Sequence, residues 1–211
     1  PPDVAAFRPV WAEVDLGAVR AHVSALRALV APAALCAVVK DDGYGHGAVA
    51  VSRAAIEAGA DCLAVALVEE GVQLREAGID APILGLSEPV PAAAETVVAN
   101  RLTPVVYTAT GIDALAKAAR AFGEHEPFAV HLKVDTGLGR GGAQPADWPD
   151  LVAAAAKSQA EQTIEVVGVW SHLAYADEPR HPTIETQRRV FDDALEVAEH
   201  AGIHPTVRHL A

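Results

Sequence analysis

A lysine ends an apolar run near the start of the chain and leads directly into a glycine-rich turn. Residues 38–47 read VVKDDGYGHG, with Lys40 in third place. Lysine is the side chain that forms Schiff bases, and partial burial lowers its pKa so that some free amine exists near neutral pH. The glycine spacing does not match the dinucleotide-binding fingerprint, so no nucleotide site is predicted. On spacing alone, a solvated lysine beside turn glycines explains the segment equally well.

Polar side chains also end two later strands. Residues 131–140 read HLKVDTGLGR and place Arg140 on a loop, where its guanidinium group suits a carboxylate. Residues 169–177 read VWSHLAYAD and place His172 at a strand end. Taken singly, Arg140 fits a surface residue and His172 a structural one. Because a lysine, an arginine and a histidine end three different strands, a shared site at one edge of the fold is favoured.

The elements that must position these residues follow an alternating pattern. Short apolar strands and longer Ala-rich helices alternate along the chain, which is typical of repeated βα units and a parallel sheet. The predicted strands are 35–40, 62–67, 82–86, 103–107, 129–135, 164–172 and 206–210. The predicted helices lie near residues 16–30, 47–58, 69–77, 91–99, 110–122, 147–160 and 182–201.

The strand at 129–135 decides between an open sheet and a barrel. A period of two puts His131, Lys133 and Asp135 on one face, while the apolar residues between them form the other. A polar face suits a barrel interior, whereas an open α/β sheet is apolar on both faces. We therefore predict an α/β fold, an incomplete (β/α)8 TIM-type barrel of about seven βα units. A structural pair of His131 with Asp135 is an alternative use of these side chains.

Length and charge exclude several classes of protein. The 211 residues suit one domain, residues 1–211. Sixteen Lys and Arg against 28 Asp and Glu give a net charge of −12, which argues against a nucleic-acid partner. Charged residues interrupt every apolar run before the roughly 20 residues that a membrane helix needs, so no membrane association is predicted.

The two cysteines do not predict a metal site. Cys36 and Cys62 lie in separate short apolar stretches without CxxC spacing. We expect them to be buried core thiols of a cytosolic protein, and we expect neither a disulfide framework nor a bound metal.

Three segments, in their order and separations, resemble the N-terminal barrel of bacterial alanine racemases: VVKDDGYGHG, HLKVDTGLGR and SHLAYAD. The opening WAEVDLGAVRAHVSALR is similar to the first helix of that family, so the resemblance covers essentially the whole chain. It implies a pyridoxal 5'-phosphate (PLP) enzyme of fold type III that acts on alanine in the cytoplasm and supplies D-alanine for peptidoglycan. Asp41 and Gly43 depart from the residues usual in the family, which changes the polarity and flexibility of this loop.

The resemblance also implies roles for the candidate residues. Lys40 is expected to hold PLP covalently and to act as one of two bases, and Tyr44 to bind the cofactor phosphate. Arg140 is expected to face the cofactor phenolate and the substrate carboxylate, with His172 beside the cofactor ring.

Lys133 has two interpretations. The alternation of the strand places it inside the barrel, where burial disfavours an ammonium group. The resemblance implies that this lysine reacts with carbon dioxide and becomes a carbamate that holds Arg140 in place. An ordinary ion pair with Asp135 is the alternative.

The resemblance implies further parts after Ala211. These are an Asn-Ser pair, an arginine for the cofactor ring nitrogen, a phosphate-binding turn, an eighth strand and a C-terminal β domain. In the family that β domain gives the dimer partner the tyrosine that serves as second base. We therefore expect a segment of a longer homodimeric enzyme, and expect the 211-residue chain alone to bind PLP weakly and to be inactive.

Two alternative functions stay open. A serine racemase or a racemase of broad specificity carries the same motifs, because residues outside this segment largely set substrate breadth. A non-catalytic PLP-binding carrier protein has a similar length but usually lacks the YGHG and KVDTGxGR motifs.

Overall fold

Seven strands and eight helical segments alternate along residues 10–123 and 126–211, the parts of the chain that the computed structural model describes. The strands are β1 (Cys36–Val38), β2 (Cys62–Val65), β3 (Ile83–Gly85), β4 (Thr103–Val106), β5 (Phe128–Lys133), β6 (Ile164–Ser171) and β7 (Val207–Leu210). The helical segments are α1 (Leu16–Val30), α2 (Lys40–Tyr44), α3 (Ala48–Glu57), α4 (Val68–Glu76), α5 (Ala94–Ala99), α6 (Ala109–Phe122), α7 (Trp148–Ala160) and α8 (Pro182–His200). A 3₁₀ turn, Pro91–Ala93, precedes α5. Each of the seven predicted strands and seven predicted helices has a counterpart, but the strand predicted at 35–40 ends at Val38, because Lys40 begins α2, a segment that the sequence did not predict. Residues 1–9 and 124–125 of the predicted domain lie outside the described residues.

The sheet is parallel throughout and follows the order of the chain. Each strand pairs with the next from β1 to β7. Within the described residues, β1 and β7 are the two edges of the sheet. The predicted incomplete (β/α)8 TIM-type barrel is thus confirmed, and the carboxyl ends of all seven strands lie at one edge.

The two faces of the sheet have different packing. On the outer face, Leu63, Ile83, Val106 and Leu132 are fully buried in the large apolar core. Burial of each such side chain contributes about 1.5–3 kcal/mol to folding. On the inner face, Ala64, Leu84, Val105 and Trp170 form a second, smaller cluster. Because this cluster is small, polar side chains on the inner face can line a site instead of packing in a core.

Helix ends follow local hydrogen-bonding rules. The Asp15 carboxylate accepts the N–H groups of Gly17 and Ala18 and begins α1. The Thr108 hydroxyl accepts the N–H of Gly111 and begins α6, which ends at Gly123 in a left-handed conformation. These caps fix where α1 begins and where α6 begins and ends relative to the strands.

The expectation of two buried core thiols is wrong. Cys36 is exposed and Cys62 is half-buried. The physical reason is their position on the inner face of β1 and β2, which borders an open interior instead of the packed outer core. Along residues 10–123 and 126–211, no helix combines the length and apolar character needed to span a membrane.

Candidate active site

A cavity of about 670 Å³ opens at the carboxyl edge of the sheet and extends into the barrel interior. All five residues singled out in the sequence line it: Lys40, Tyr44, Lys133, Arg140 and His172. They come from β5 itself and from the segments that follow β1, β5 and β6. The structure therefore brings the candidates together at the edge where the active sites of parallel barrels lie.

The segment that follows Lys40 is a left-handed turn. Residues 41–44 have φ angles of 54°, 53°, 64° and 55°. This conformation costs on the order of 1–2 kcal/mol for each residue that carries a side chain, so hydrogen bonds must hold the turn. Asp42 Oδ1 accepts the N–H of Ala48 at 2.8 Å. Gly43 is the one residue of this turn without a side chain, and a Cβ there would make only an ordinary contact of 3.4 Å with the Ala48 backbone, so its positive φ is what favours glycine.

Glu70, the third residue of α4, stabilises the same turn. Its Oε1 accepts the N–H of Asp41 at 2.6 Å. Its Oε2 accepts the N–H groups of Ala66 and Leu67 at 2.8 and 2.9 Å. One carboxylate thereby joins the backbone next to Lys40 to the loop that follows β2.

Lys40 and Tyr44 lie side by side at the cavity. Lys40 Nζ is 5.8 Å from the centre of the Tyr44 ring and 4.0 Å from Asp41 Oδ2. The Lys40 side chain is 35% exposed and Tyr44 is 58% exposed. An exposed ion pair at that distance contributes little stability. The amine and the phenol are therefore both accessible to a molecule that enters the cavity.

Lys133 lies inside the barrel over an indole ring. Its Nζ is 4.2 Å from the centre of the Trp170 ring. Burial, and after it the Arg140 cation, lower the pKa of Lys133, while Asp135 opposes the shift. Among the described residues no ion pair joins Lys133 to Asp135. The alternative of a Lys133–Asp135 ion pair is wrong, because that carboxylate turns toward its own loop.

Asp135 organises the loop that carries Arg140. Its carboxylate accepts the N–H groups of Gly137 and Gly139 and the side-chain amide of Gln144, each at 3.0 Å. Burial alone would raise the pKa of Asp135, but these hydrogen bonds hold it below its ordinary value. An ionised Asp135 thus fixes the start of the loop, and Arg140 projects from it to the cavity.

The electrostatic character of the cavity is cationic. Burial lowers the pKa of His172, and the charges of Arg140, Lys133 and Lys40 lower it further. The His172 imidazole is therefore neutral at pH 7. Within the described part of the chain no carboxylate lines the cavity, whereas two lysines and an arginine do. This charge distribution suits an anionic ligand.

Buried Gln187 of α8 joins two loops of the site. Its Nε2 donates to Thr136 Oγ1 at 2.9 Å and to the carbonyl of His172 at 3.0 Å. Its Oε1 accepts the N–H of Ala174 at 2.9 Å. Because Gln187 is only 1% exposed, these bonds form in a dry environment and hold the segments after β5 and β6 together.

Two histidines meet inside the barrel. His131 Nδ1 lies 3.2 Å from His209 Nε2, and His209 stacks on Trp170 with ring centroids 5.1 Å apart. Burial lowers the pKa of His131 to about 3 and that of His209 to about 4, so both rings are neutral at pH 7. Gly168 leaves the necessary space, because a Cβ there would lie 2.4 Å from the His131 ring. The alternative of a His131–Asp135 pair is wrong, since His131 bonds to His209.

Three residues that shape the site were absent from the sequence candidates. Glu70 is the third residue of α4, where a glutamate can accept the N–H of the N-cap residue, but Leu67 replaces the Ser or Thr that completes this sequence pattern, so the signal is only partial. Gln187 could have been recognised as a polar residue on the apolar stripe of α8. Trp170 carries no comparable local signal, because its contact with Lys133 depends on the pairing of two strands.

Comparisons with known proteins agree on one family. The family model described as "Alanine racemase, N-terminal domain" matches residues 14–211. The alanine racemase of Salinispora arenicola (strain CNS-205) is 49% identical over 198 residues, which cover 94% of this chain and 52% of that protein. The alanine racemase of Frankia casuarinae is 48% identical over 200 residues, which cover 95% of this chain and 52% of that protein.

Solved structures show the same architecture. Alanine racemase from D-cycloserine-producing Streptomyces lavendulae superposes with a TM-score of 0.87 at 48% identity, covering 94% of this chain and 51% of that one. Alanine racemase from Bacillus anthracis with bound L-Ala-P superposes with a TM-score of 0.84 at 32% identity, covering 95% and 51%. The chain thus spans about half the length of the relatives that it matches.

Proposed function

Since the chain belongs to the family of alanine racemase N-terminal domains, we propose that its protein interconverts L- and D-alanine with PLP held in the cavity. The observation that carries this proposal is the convergence of Lys40, Lys133 and Arg140 on one cavity, with no carboxylate among the lining residues that the structure describes.

The residues present fit PLP. The cofactor carries an anionic phosphate and a phenolate, which match a cationic cavity, and about 300–1,000 Å³ is the usual size of a cofactor site. We assign the cofactor carbonyl to the Lys40 amine, the phosphate to the Tyr44 hydroxyl, the phenolate to Arg140 and the ring to a position beside His172. When bound, PLP takes up the negative charge that develops at Cα of an attached amino acid.

The chain's own residues then orient the substrate and move its proton. The Arg140 guanidinium group binds the alanine carboxylate and thereby fixes the orientation of Cα. Lys40 Nζ removes or returns the Cα proton on one face. The turn held by Glu70 keeps this amine in place while the proton moves. His172, neutral at pH 7, adds no further positive charge beside the ring.

Lys133 has a supporting part in this proposal. Its lowered pKa supplies an unprotonated amine that can react with carbon dioxide. A nitrogen–carbon bond forms, one proton is released to solvent, and the lysine becomes an anionic carbamate. The carbamate would hold the Arg140 guanidinium group toward the substrate.

Racemisation needs a proton acceptor on each face of Cα, and Lys40 serves one of them. We propose that a tyrosine of the partner subunit in a homodimer serves the other face, as the family resemblance implies. As part of the same proposal, the enzyme works in the cytoplasm and supplies D-alanine for peptidoglycan.

A labelling experiment tests the cofactor assignment. The intact protein is loaded with PLP, reduced with borohydride and mapped by mass spectrometry. We expect the label on Lys40, and expect Lys40→Ala to lose it while exposed Lys157→Arg retains it. A label on another lysine with Lys40 unmodified overturns the assignment.

Measured turnover distinguishes an alanine racemase from a racemase of broad specificity and from a PLP carrier. D-Alanine formed by the intact protein is followed through its coupled oxidation, with L-serine as a parallel substrate. We expect alanine to react at a higher kcat/KM than serine. Comparable values for both amino acids would indicate a racemase of broad specificity, and labelling without any turnover would indicate a PLP carrier.

A further inference from the structure

Two cysteines lie directly across from each other in the barrel wall. Cys36 of β1 and Cys62 of β2 are Cα partners in the parallel register. Residues paired in this way point their side chains to the same face of the sheet. Cys36 lines the cavity, as does Ala64, which shares the face of Cys62. Both thiols therefore face the barrel interior.

The spacing of the two strands suits a disulfide. Neighbouring strands lie about 4.8 Å apart, and a disulfide requires a Cα separation of about 4.4–6.8 Å. A bond between Cys36 and Cys62 therefore needs side-chain rotation and no separation of β1 from β2.

The two thiols have different acidities. The neighbouring Cys36 thiol lowers the pKa of Cys62, although burial and Asp61 oppose the shift. The same contact, together with burial, raises the pKa of Cys36. Cys62 is therefore the first of the pair to become a thiolate, and the thiolate is the nucleophilic form.

We propose that Cys36 and Cys62 are a redox-active pair that a hydroperoxide converts into an intramolecular disulfide. The Cys62 thiolate attacks the hydroperoxide, its sulfur becomes a sulfenic acid, and the oxygen–oxygen bond breaks. The leaving oxygen takes up the proton that Cys62 lost and departs as water from hydrogen peroxide or as an alcohol from an organic hydroperoxide. The Cys36 thiol then attacks the sulfenic sulfur, the sulfur–sulfur bond forms and water leaves. The hydroperoxide accepts two electrons and the two thiols supply them.

The disulfide should be readily reversible. Cys36 is exposed and lines the cavity, so a reductant can reach the bond. Accessible disulfides are more easily reduced than buried ones. No step of this chemistry involves PLP or alanine, so the inference and the proposed function can fail independently.

Peptide mapping tests the proposal on the intact protein. The protein is treated with hydrogen peroxide, remaining thiols are alkylated, and the protein is digested without reductant. We expect a linked pair of peptides that contain Cys36 and Cys62, and expect dithiothreitol to restore both thiols. Sulfinic or sulfonic acid at these residues without the linked pair, a link between two chains, or no reaction overturns the proposal.

Serine variants assign the two roles. In Cys36→Ser, we expect peroxide to convert Cys62 to sulfinic and sulfonic acids, because the second thiol is missing. In Cys62→Ser, we expect Cys36 to be oxidised about tenfold more slowly than the wild-type pair. An unchanged rate for Cys36 in that variant contradicts the assignment of Cys62 as nucleophile.

A dithiol reagent tests the proposal on the wild-type protein, so the result does not depend on the folding of a serine variant. Phenylarsine oxide binds two thiols that lie close enough to share one arsenic atom. We expect one molecule per chain to protect both Cys36 and Cys62 from alkylation. Unprotected thiols would show that the two sulfurs do not meet, and would overturn the proposal.

Discussion

The Asp41 N–H donates a 2.6 Å hydrogen bond to Glu70 Oε1, although Asp41 follows β1 and Glu70 lies in α4, which follows β2. This bond acts on the peptide that directly follows Lys40. It therefore connects the position of the proposed cofactor lysine to α4, whose Glu70 also binds the backbone at Ala66 and Leu67.

Replacing Glu70 should loosen the lysine turn. In Glu70→Ala three backbone N–H groups lose their acceptor, and each unsatisfied group costs about 1–3 kcal/mol where water cannot replace the bond. We expect weaker PLP binding in titrations followed by absorbance, and a lower free energy of unfolding. Glu69→Ala, at the exposed neighbouring position, should change neither, and equal effects of the two variants would show that Glu70 has no special role.

Replacing Gln187 should separate the two loops that it joins. Gln187→Leu keeps the volume but leaves Thr136 Oγ1, the His172 carbonyl and the Ala174 N–H without this partner. We expect a loss of about 2 kcal/mol or more in urea unfolding and a higher KM for alanine. Thr186→Ala on the exposed side of the same helix is the matched control, and an unaltered KM in Gln187→Leu would argue against a positioning role.

The two histidines inside the barrel should make stability dependent on pH. The pKa values of His131 and His209, about 3 and about 4, lie below the ordinary 6.5. Between these values and pH 6.5 the unfolded chain binds more protons than the folded one, so the free energy of unfolding falls as pH falls. The expected slope is about 1.4 kcal/mol per pH unit for each histidine.

Urea unfolding at pH 7.5 and 5.0 measures this dependence. His209→Asn should show a smaller decrease between the two values than the wild-type protein, whereas exposed His204→Asn should show the same decrease. Identical slopes for all three proteins would contradict the assignment to His131 and His209.

Lys133 should bind carbon dioxide in a pH-dependent way. Its lowered pKa means that neutral amine increases as pH rises from 6 to 8, and only the neutral amine forms a carbamate. We expect a carbamate carbon signal with ¹³C-bicarbonate that grows over this range and is absent in Lys133→Arg. Lys157→Arg should retain the signal, and a signal that persists in Lys133→Arg would assign it elsewhere.

Much of the fold follows from local pattern. The order of the strands and helices follows from apolar periodicity, and the bounds of α1 and α6 follow from residues such as Asp15 and Gly123, which act on their immediate neighbours. The placement of Lys40 and His172 at one edge follows as well, because all parallel strands end there. These features can be predicted without knowing which strands pair.

Such local patterns do not predict which residues interact when they are distant in the sequence. A period of two places Cys36 on one face of β1, but it does not say whether that face meets packed core or an open interior. Likewise, alternation places Asp135 near Lys133, yet the carboxylate bonds to Gly137 and Gly139 because the loop folds back on it. The partner of each polar group depends on geometry that only the assembled barrel provides.

The contact between Gly168 and His131 limits how the two positions can diverge among descendants of this sequence. A Cβ at residue 168 would lie 2.4 Å from the imidazole, so alanine is tolerated there only after residue 131 has become smaller. The order of substitutions matters, because the change at 131 must come first. We expect these two positions to covary across an alignment, with bulk at one accompanied by loss of bulk at the other.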